Sequence, residues 1–411
     1  MRFLRAFVAL CGSITIGAAR NPDAQPGDTL RSDNNRTRGV SEALFNSLDE
    51  LAKVVDIAYC VGVTGVYQPF RCASWCHEFP DFELIKTWYT GPFLSDSCGY
   101  IALSHTPAPK RIIVSFRGTY SLTNAIVDLA VAPQVYVPYE NATNPEDGIC
   151  DECTAHSGFL TSWANTRSWI LPEVFDAIQN YPDYQLVVLG HSLGGAVATF
   201  AGLEFKLRGW NPHITTFGEP RVGNQALANY IDKQFGLTNA SAGSKGELVD
   251  PYPAYHRLTH VNDPIPLLPP SDLGYVSHAG EIFISTVDVP PSVNDLRICY
   301  GPADSTCISQ QEESLDKLWD LSKSLPQSAS ESLKGVFHLN DNEQVPLQSH
   351  DTQDKSPVSP QLTRIWELIL AHRDYFHRIG LCLPHLFDRP VLNDQTPQKP
   401  GAGWKWKLPW N

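Results

Sequence analysis

The chain predicts an α/β fold, a central and mostly parallel β-sheet flanked by helices, and three observations carry that reading. Residues 186–189, Leu-Val-Val-Leu, form a short apolar run of the kind that makes a strand buried on both faces. Gly190-His191-Ser192-Leu193-Gly194 follows at once and sets a serine between two glycines at a strand-to-helix junction. Beyond it, Ala196, Phe200, Leu203 and Leu207 recur at helical spacing. At 411 residues with 42% hydrophobic residues, the chain is long and apolar enough to bury one large core.

Taken in order, the elements begin with Met1-Arg2-Phe3-Leu4-Arg5, an apolar stretch from Ala6 to Ala18, and small residues at Gly17, Ala18 and Ala19. A basic flank, a short apolar core and a small-residue end read as a secretory signal over residues 1–19, cut after Ala19. Residues 20–38 are polar and read as a flexible lead or propeptide. Arg111 to Phe116 reads as a strand that Thr119 closes. In the next stretch, Ser121 to Ala130, Leu122, Ala125, Ile126 and Leu129 share one face of a short helix, and Ser121, Thr123, Asn124 and Asp128 lie on the other. Such a helix either packs on its own core or covers something. Residues 301–362, rich in Ser, Gln, Asp, Glu and Pro, read as an exposed insertion with one short helix around residues 315–325. The tail, 391–411, contains Gly403-Trp404-Lys405-Trp406-Lys407-Leu408-Pro409-Trp410. Its interleaved aromatics and cations suit a lipid headgroup layer or a strip laid on the domain. No uninterrupted apolar run is long enough to span a bilayer, and a net charge of −13 argues against nucleic acid and against strong adsorption to anionic membranes.

A serine in a G-x-S-x-G elbow is a nucleophile only if a base takes its proton and a carboxylate orients that base. In an α/β-hydrolase the chain order is Ser, then Asp or Glu, then His. Asp263 stands at the end of a β-like run that Pro264 terminates, where a short carboxylate both caps a turn and is held still. Six histidines follow it, His278, His338, His350, His372, His377 and His385, and composition does not choose among them. One donor to a tetrahedral oxyanion is expected from the backbone N–H of Leu193, directly after the nucleophile.

Five segments together resemble the fungal secreted triacylglycerol lipases of the class 3 lipase family. They are Ser115-Phe116-Arg117-Gly118-Thr119, the elbow at Ser192, Phe217-Gly218-Glu219-Pro220-Arg221-Val222-Gly223-Asn224, the Asp263 segment, and Ala371-His372-Arg373-Asp374-Tyr375-Phe376. The similarity runs in order from about Val40 to Cys382 and implies one α/β-hydrolase domain over residues 39–390. It implies a catalytic triad of Ser192, Asp263 and His372, with Thr119 as the second oxyanion donor. His278 matches a position near the site that is not the base, and His377, about one helical turn past His372, is the alternative base. The amphipathic stretch with Leu122, Ala125, Ile126 and Leu129 corresponds to the lid, although the family often has tryptophan where this chain has Ala125, which implies weaker interfacial binding.

Secretion makes the cysteines disulfide candidates, and nine remain once Cys11 leaves with the signal. The family pattern implies Cys60 with Cys382, Cys72 with Cys76, and Cys150 with Cys153, while Cys299 and Cys307 are near enough to close a local loop. Cys98 is then either free or exchanging with the Cys72 and Cys76 pair. Cys150-x-x-Cys153 lacks a second ligand pair for zinc, and no cofactor fingerprint occurs. Asn35, Asn141 and Asn239 open N-x-S/T sequons. The expected function is a secreted, cofactor-independent lipase that cleaves acylglycerol esters at an oil–water interface. The competing expectations are a feruloyl or other soluble-ester esterase or a phospholipase A1 on the same fold, and more remotely a non-catalytic binding protein.

Overall fold

The apolar run read from the sequence is strand β6 (Gln185–His191), buried from Leu186 onward and central to an eight-stranded sheet. The computed structural model describes residues 38–91, 96–119, 133–237, 250–311 and 370–382. Expectations for the signal and lead before Arg38, for Leu122, Ala125, Ile126 and Leu129, for residues 312–369 and for the tail therefore lie outside the described residues.

The other strands of the sheet are β1 (Phe82–Tyr89), β2 (Cys98–Ser104), β3 (Arg111–Phe116), β7 (His213–Phe217), β8 (Tyr255–His260), β9 (Glu281–Ile284) and β10 (Leu296–Ile298). A separate antiparallel pair is made by β4 (Pro133–Val135) and β5 (Thr154–His156). The large sheet has the order β1-β2-β3-β6-β7-β8-β9-β10, parallel from β3 to β9 and antiparallel at both outer ends. Ile112, Ile113 and Val114 of β3 show why the pattern is continuous rather than alternating: β-branched side chains suit the pleat, and all three are wholly buried.

Helices cover this sheet. Helix α1 (Glu42–Ile57) starts at Ser41, whose Oγ accepts the Leu44 N–H at 3.1 Å, and it lies against β3 and β6. Helix α2 (Ser157–Asn180) is laid on α3 (Leu193–Leu207), which packs on β6 and β7. Because α3 has the sheet on one side and α2 on another, it is apolar nearly all round. Helix α4 (Gln225–Phe235) is capped by Asn224, which accepts the Leu227 N–H, and ends at Gly236 in the left-handed region. No described helix is long and apolar enough to cross a membrane.

The register decides where the ends of the strands meet. Phe116 lies opposite Gly190, His191 opposite Phe217, and Phe217 opposite Leu258, so β3, β6, β7 and β8 finish along one edge. Thr119, Ser192, Gly218 and Asp263 each follow one of these ends, the place where parallel sheets present their working groups. Disulfides join Cys60 to Cys382, Cys72 to Cys76, Cys150 to Cys153 and Cys299 to Cys307, as expected, and Cys98 is buried as a free thiol. The opening of the 301–362 segment is anchored rather than loose: Cys307 and Ile308 are buried, and Asp304 pairs with Arg38 at 2.6 Å.

Candidate active site

Ser192 sits at φ 59° and ψ −132°, a strained backbone for a residue with a side chain. The strain persists because its surroundings over-determine it. A Cβ at Gly190 would come within 2.1 Å of the Gly194 carbonyl oxygen, and one at Gly194 within 2.5 Å of the Phe116 carbonyl oxygen. The Ser192 N–H donates to the Phe217 carbonyl at 2.9 Å, which pins the elbow to β7. Ser192 is also the N-cap of α3, yet its hydroxyl caps nothing, so the side chain is left for other use. Leu193 opens α3, where first-turn N–H groups have no partner within the helix and the helix dipole favours negative charge.

Asp263 lies in the turn after β8 and is fully buried. Its Oδ1 accepts the Ile265 N–H at 2.9 Å, the local turn expected of an acid before Pro264, and the same carboxylate meets Nδ1 of His372 at 2.9 Å through either oxygen. Tyr375 donates its hydroxyl to Oδ2 at 2.6 Å. Burial first, and then the charge of Asp263, hold the Tyr375 phenol well above its usual range, so it stays a donor. Three donors thus fix a buried carboxylate that would otherwise be costly to keep charged.

His372 is itself buried, and its Nε2 has no hydrogen-bond partner among the described residues. With Nδ1 turned to a carboxylate, Nε2 is the position at which the ring accepts a proton. Gly218, at φ 60°, lets the backbone pass flat beneath this ring: a Cβ there would be 2.7 Å from Cε1 of His372 and 2.8 Å from the Tyr375 hydroxyl. Thr119 follows β3 at the same edge, with its Oγ1 buried and unpartnered among the described residues.

The segment that carries His372 is held by residues more than 300 positions earlier in the chain. Cys382 is bonded to Cys60, the Gly380 N–H donates to Oδ1 of Asp56 at 2.7 Å, and Ser74 donates to Oδ2 at 2.6 Å. Burial raises the Asp56 carboxyl to about 6 against the pull of these donors.

Of the other candidate bases, His278 and His377 stand apart from this cluster, and His338, His350 and His385 lie outside the described residues. His278 is buried, with Nδ1 by the Ala279 carbonyl and Nε2 3.2 Å from Glu219. The helical turn anticipated between His372 and His377 does not form, because the chain leaves the helix after Ala371. His377 instead packs 5.1 Å from the Trp75 ring, where burial and then Lys53 push its imidazole down to about 3. Sequence reasoning missed Tyr375 and Gly218 as parts of the site, although both stood inside quoted motifs. A tyrosine beside Phe376 signals burial, but not which carboxylate it will meet.

Residues 113–273 match the family described as Lipase (class 3), a span that contains Thr119, Ser192 and Asp263 and stops short of His372. The chain is 46% identical over 371 residues to Lipase A of Sodiomyces alcalophilus, covering 84% of this chain and 83% of that protein. It is 42% identical to the secreted mono- and diacylglycerol lipase 2 of Gibberella zeae, with 84% of each chain covered. Among solved structures, the Lip2 lipase of Yarrowia lipolytica superposes with a TM-score of 0.62 at 28% identity, over 84% of this chain and 97% of its own. With similarity of that depth along most of its length, and with the sheet and elbow described above, this chain belongs to the class 3 lipase family and is a carboxylic ester hydrolase of the α/β-hydrolase fold.

Proposed function

We propose that this protein is a secreted lipase that hydrolyses acylglycerols, mono- and diacylglycerols included, through an acyl-enzyme formed on Ser192. The observation that carries the reading is the pairing of His372 Nδ1 with Asp263 while Nε2 has no partner among the described residues, at the sheet edge where Ser192 stands. His372 takes the Ser192 proton as Oγ attacks the ester carbonyl, and returns it to the departing glycerol oxygen. Asp263 holds the productive tautomer and stabilises the imidazolium. The N–H groups of Leu193 and Thr119, with the Thr119 hydroxyl, which has no partner among the described residues, receive the oxyanion. Water then enters by the same proton route and releases the fatty acid.

The relative from Gibberella zeae is named as a secreted mono- and diacylglycerol lipase, and this supports both the substrate class and export. Residues 1–19 act as the signal, residues 20–38 as the lead, and residues 39–390 as the catalytic domain, with four disulfides in keeping with an oxidising compartment. The family resemblance supports reading Leu122, Ala125, Ile126 and Leu129 as lid residues.

The test is Ser192→Ala, assayed on emulsified mono-, di- and triacylglycerols, on phospholipid and on a feruloyl ester. Secretion should be unchanged, and all hydrolysis should fall by about 10³-fold or more. Organophosphonate labelling that persists in the variant would refute the nucleophile. Parent rates highest on phospholipid or on the feruloyl ester would move the substrate class.

A further inference from the structure

Tyr59 and His191 stand next to the triad without belonging to it, and both are buried. Tyr59 lies in the single turn Ala58–Cys60 that follows α1, and His191 is the last residue of β6, directly before the nucleophile. Three hydrogen bonds run through them. The Gly118 N–H donates to the Tyr59 hydroxyl at 3.2 Å, that hydroxyl lies 2.5 Å from His191 Nδ1, and His191 Nε2 lies 2.9 Å from the main-chain carbonyl of His372.

The chemistry of the end group sets the direction of every proton. A carbonyl only accepts, so Nε2 of His191 must carry hydrogen. The ring is neutral, because burial first and the neighbouring His372 second hold its pKa well below the usual histidine value, and Nδ1 is therefore a bare acceptor. Tyr59 consequently donates to Nδ1 while its oxygen accepts from Gly118. One arrangement of protons satisfies the whole chain, and it does not compete with any bond the triad needs.

What the chain connects is the functional point. Gly118 precedes the oxyanion residue Thr119, His191 precedes Ser192, and the last acceptor is the backbone of the base itself. The His191 and His372 rings are 4.7 Å apart, so a shift of one is felt by the other. We propose that Tyr59 and His191 are positioning residues for ester hydrolysis, a proton-ordered link that keeps the oxyanion strand end, the elbow and the base in mutual register. This rests on the reading of Ser192, His372 and Thr119 given above. Because the link acts through the register of other groups, the effect belongs in kcat rather than in KM.

The experiment compares Tyr59→Phe, His191→Gln and His191→Leu with the parent on a dissolved short-chain ester. Active sites are counted by a fluorescent phosphonate on Ser192, and Tm is measured alongside. Tyr59→Phe leaves a buried donor and a buried acceptor unsatisfied, which should lower kcat per labelled site about 10- to 100-fold with KM within about twofold. Gln places an amide N–H near the position of Nε2, so His191→Gln should retain several-fold more kcat than His191→Leu. A purely structural role would lower Tm or yield and leave kcat per labelled site unchanged, and that outcome overturns the proposal. So does equal kcat in the Gln and Leu variants, a comparison that decides the matter if Tyr59→Phe does not fold. A parent in which Ser192 takes no label would instead sink the triad reading, so the two failures are distinguishable.

Discussion

Gly218→Ala places one methyl group against the His372 ring, between that imidazole and the tyrosine that donates to Asp263. The new Cβ would lie 2.7 Å from Cε1 of His372, 2.9 Å from its Nδ1 and 2.8 Å from the Tyr375 hydroxyl. The backbone cannot retreat easily, since the Gly218 N–H is bonded to the Leu258 carbonyl at 3.0 Å and φ is 60°. To reach ordinary van der Waals separation the imidazole must move by about 0.8 Å. A displacement near 1 Å at a reacting group costs about 10²-fold in rate, so kcat should fall about 10- to 100-fold. The left-handed backbone and the overlap together should cost about 2–4 kcal/mol of stability. The assay is kcat on a dissolved chromogenic ester, corrected for active sites by phosphonate titration, with Tm from thermal unfolding. A folded Gly218→Ala enzyme with parental kcat would refute the reasoning, because it would mean that the ring position does not limit turnover.

Three further outcomes follow from the same geometry. Asp263→Asn should keep the Tyr375 contact but offer the base the wrong tautomer, lowering kcat by about 10⁴-fold in a folded enzyme; a loss of less than tenfold would remove Asp263 from the triad. Asp56 titrates near 6 in the fold against the usual 3.8, so the folded state holds an extra proton between those values, and the group's contribution to stability declines as pH rises through that window. Asp56→Asn should therefore gain on the parent by on the order of 2–3 kcal/mol between pH 4 and pH 7 in paired unfolding curves, and a flat or opposite difference would contradict the assignment. Replacing Ile126 and Leu129 together by Ser should reduce activity on emulsified long-chain acylglycerol far more than on a dissolved ester, with folding checked by circular dichroism; equal losses would make that segment an ordinary structural helix.

The elbow was legible in the sequence because its constraint is local. Gly190 and Gly194 are needed by a single turn, and a turn is written in consecutive residues. The flanking strand and helix were legible for the same reason, as was Asp263, whose own side chain closes the turn through Pro264 to Ile265. The histidine that meets Asp263 was not, since six histidines follow Asp263 and nothing in their spacing selects one; the resemblance to a family indicated His372. The structure then brought its ring to Asp263 across 109 residues of chain. Helix α2, Tyr375's bond to Asp263 and the displacement of His377 onto Trp75 were also hidden, because each depends on which surfaces meet after the sheet has formed.

By itself, then, the sequence determined the class of fold and the elbow that carries Ser192, both of which rest on local sterics and on hydrophobic period. Tertiary structure decided which histidine meets the acid, what steadies that acid, and how the segment after Ala371 is held by Cys60 and Asp56 from the opposite end of the chain. The physical reason is the same for each of these: a buried polar group is satisfied by whatever partner the packed sheet brings within about 3 Å, and that partner's place in the sequence leaves no trace in the pattern around it.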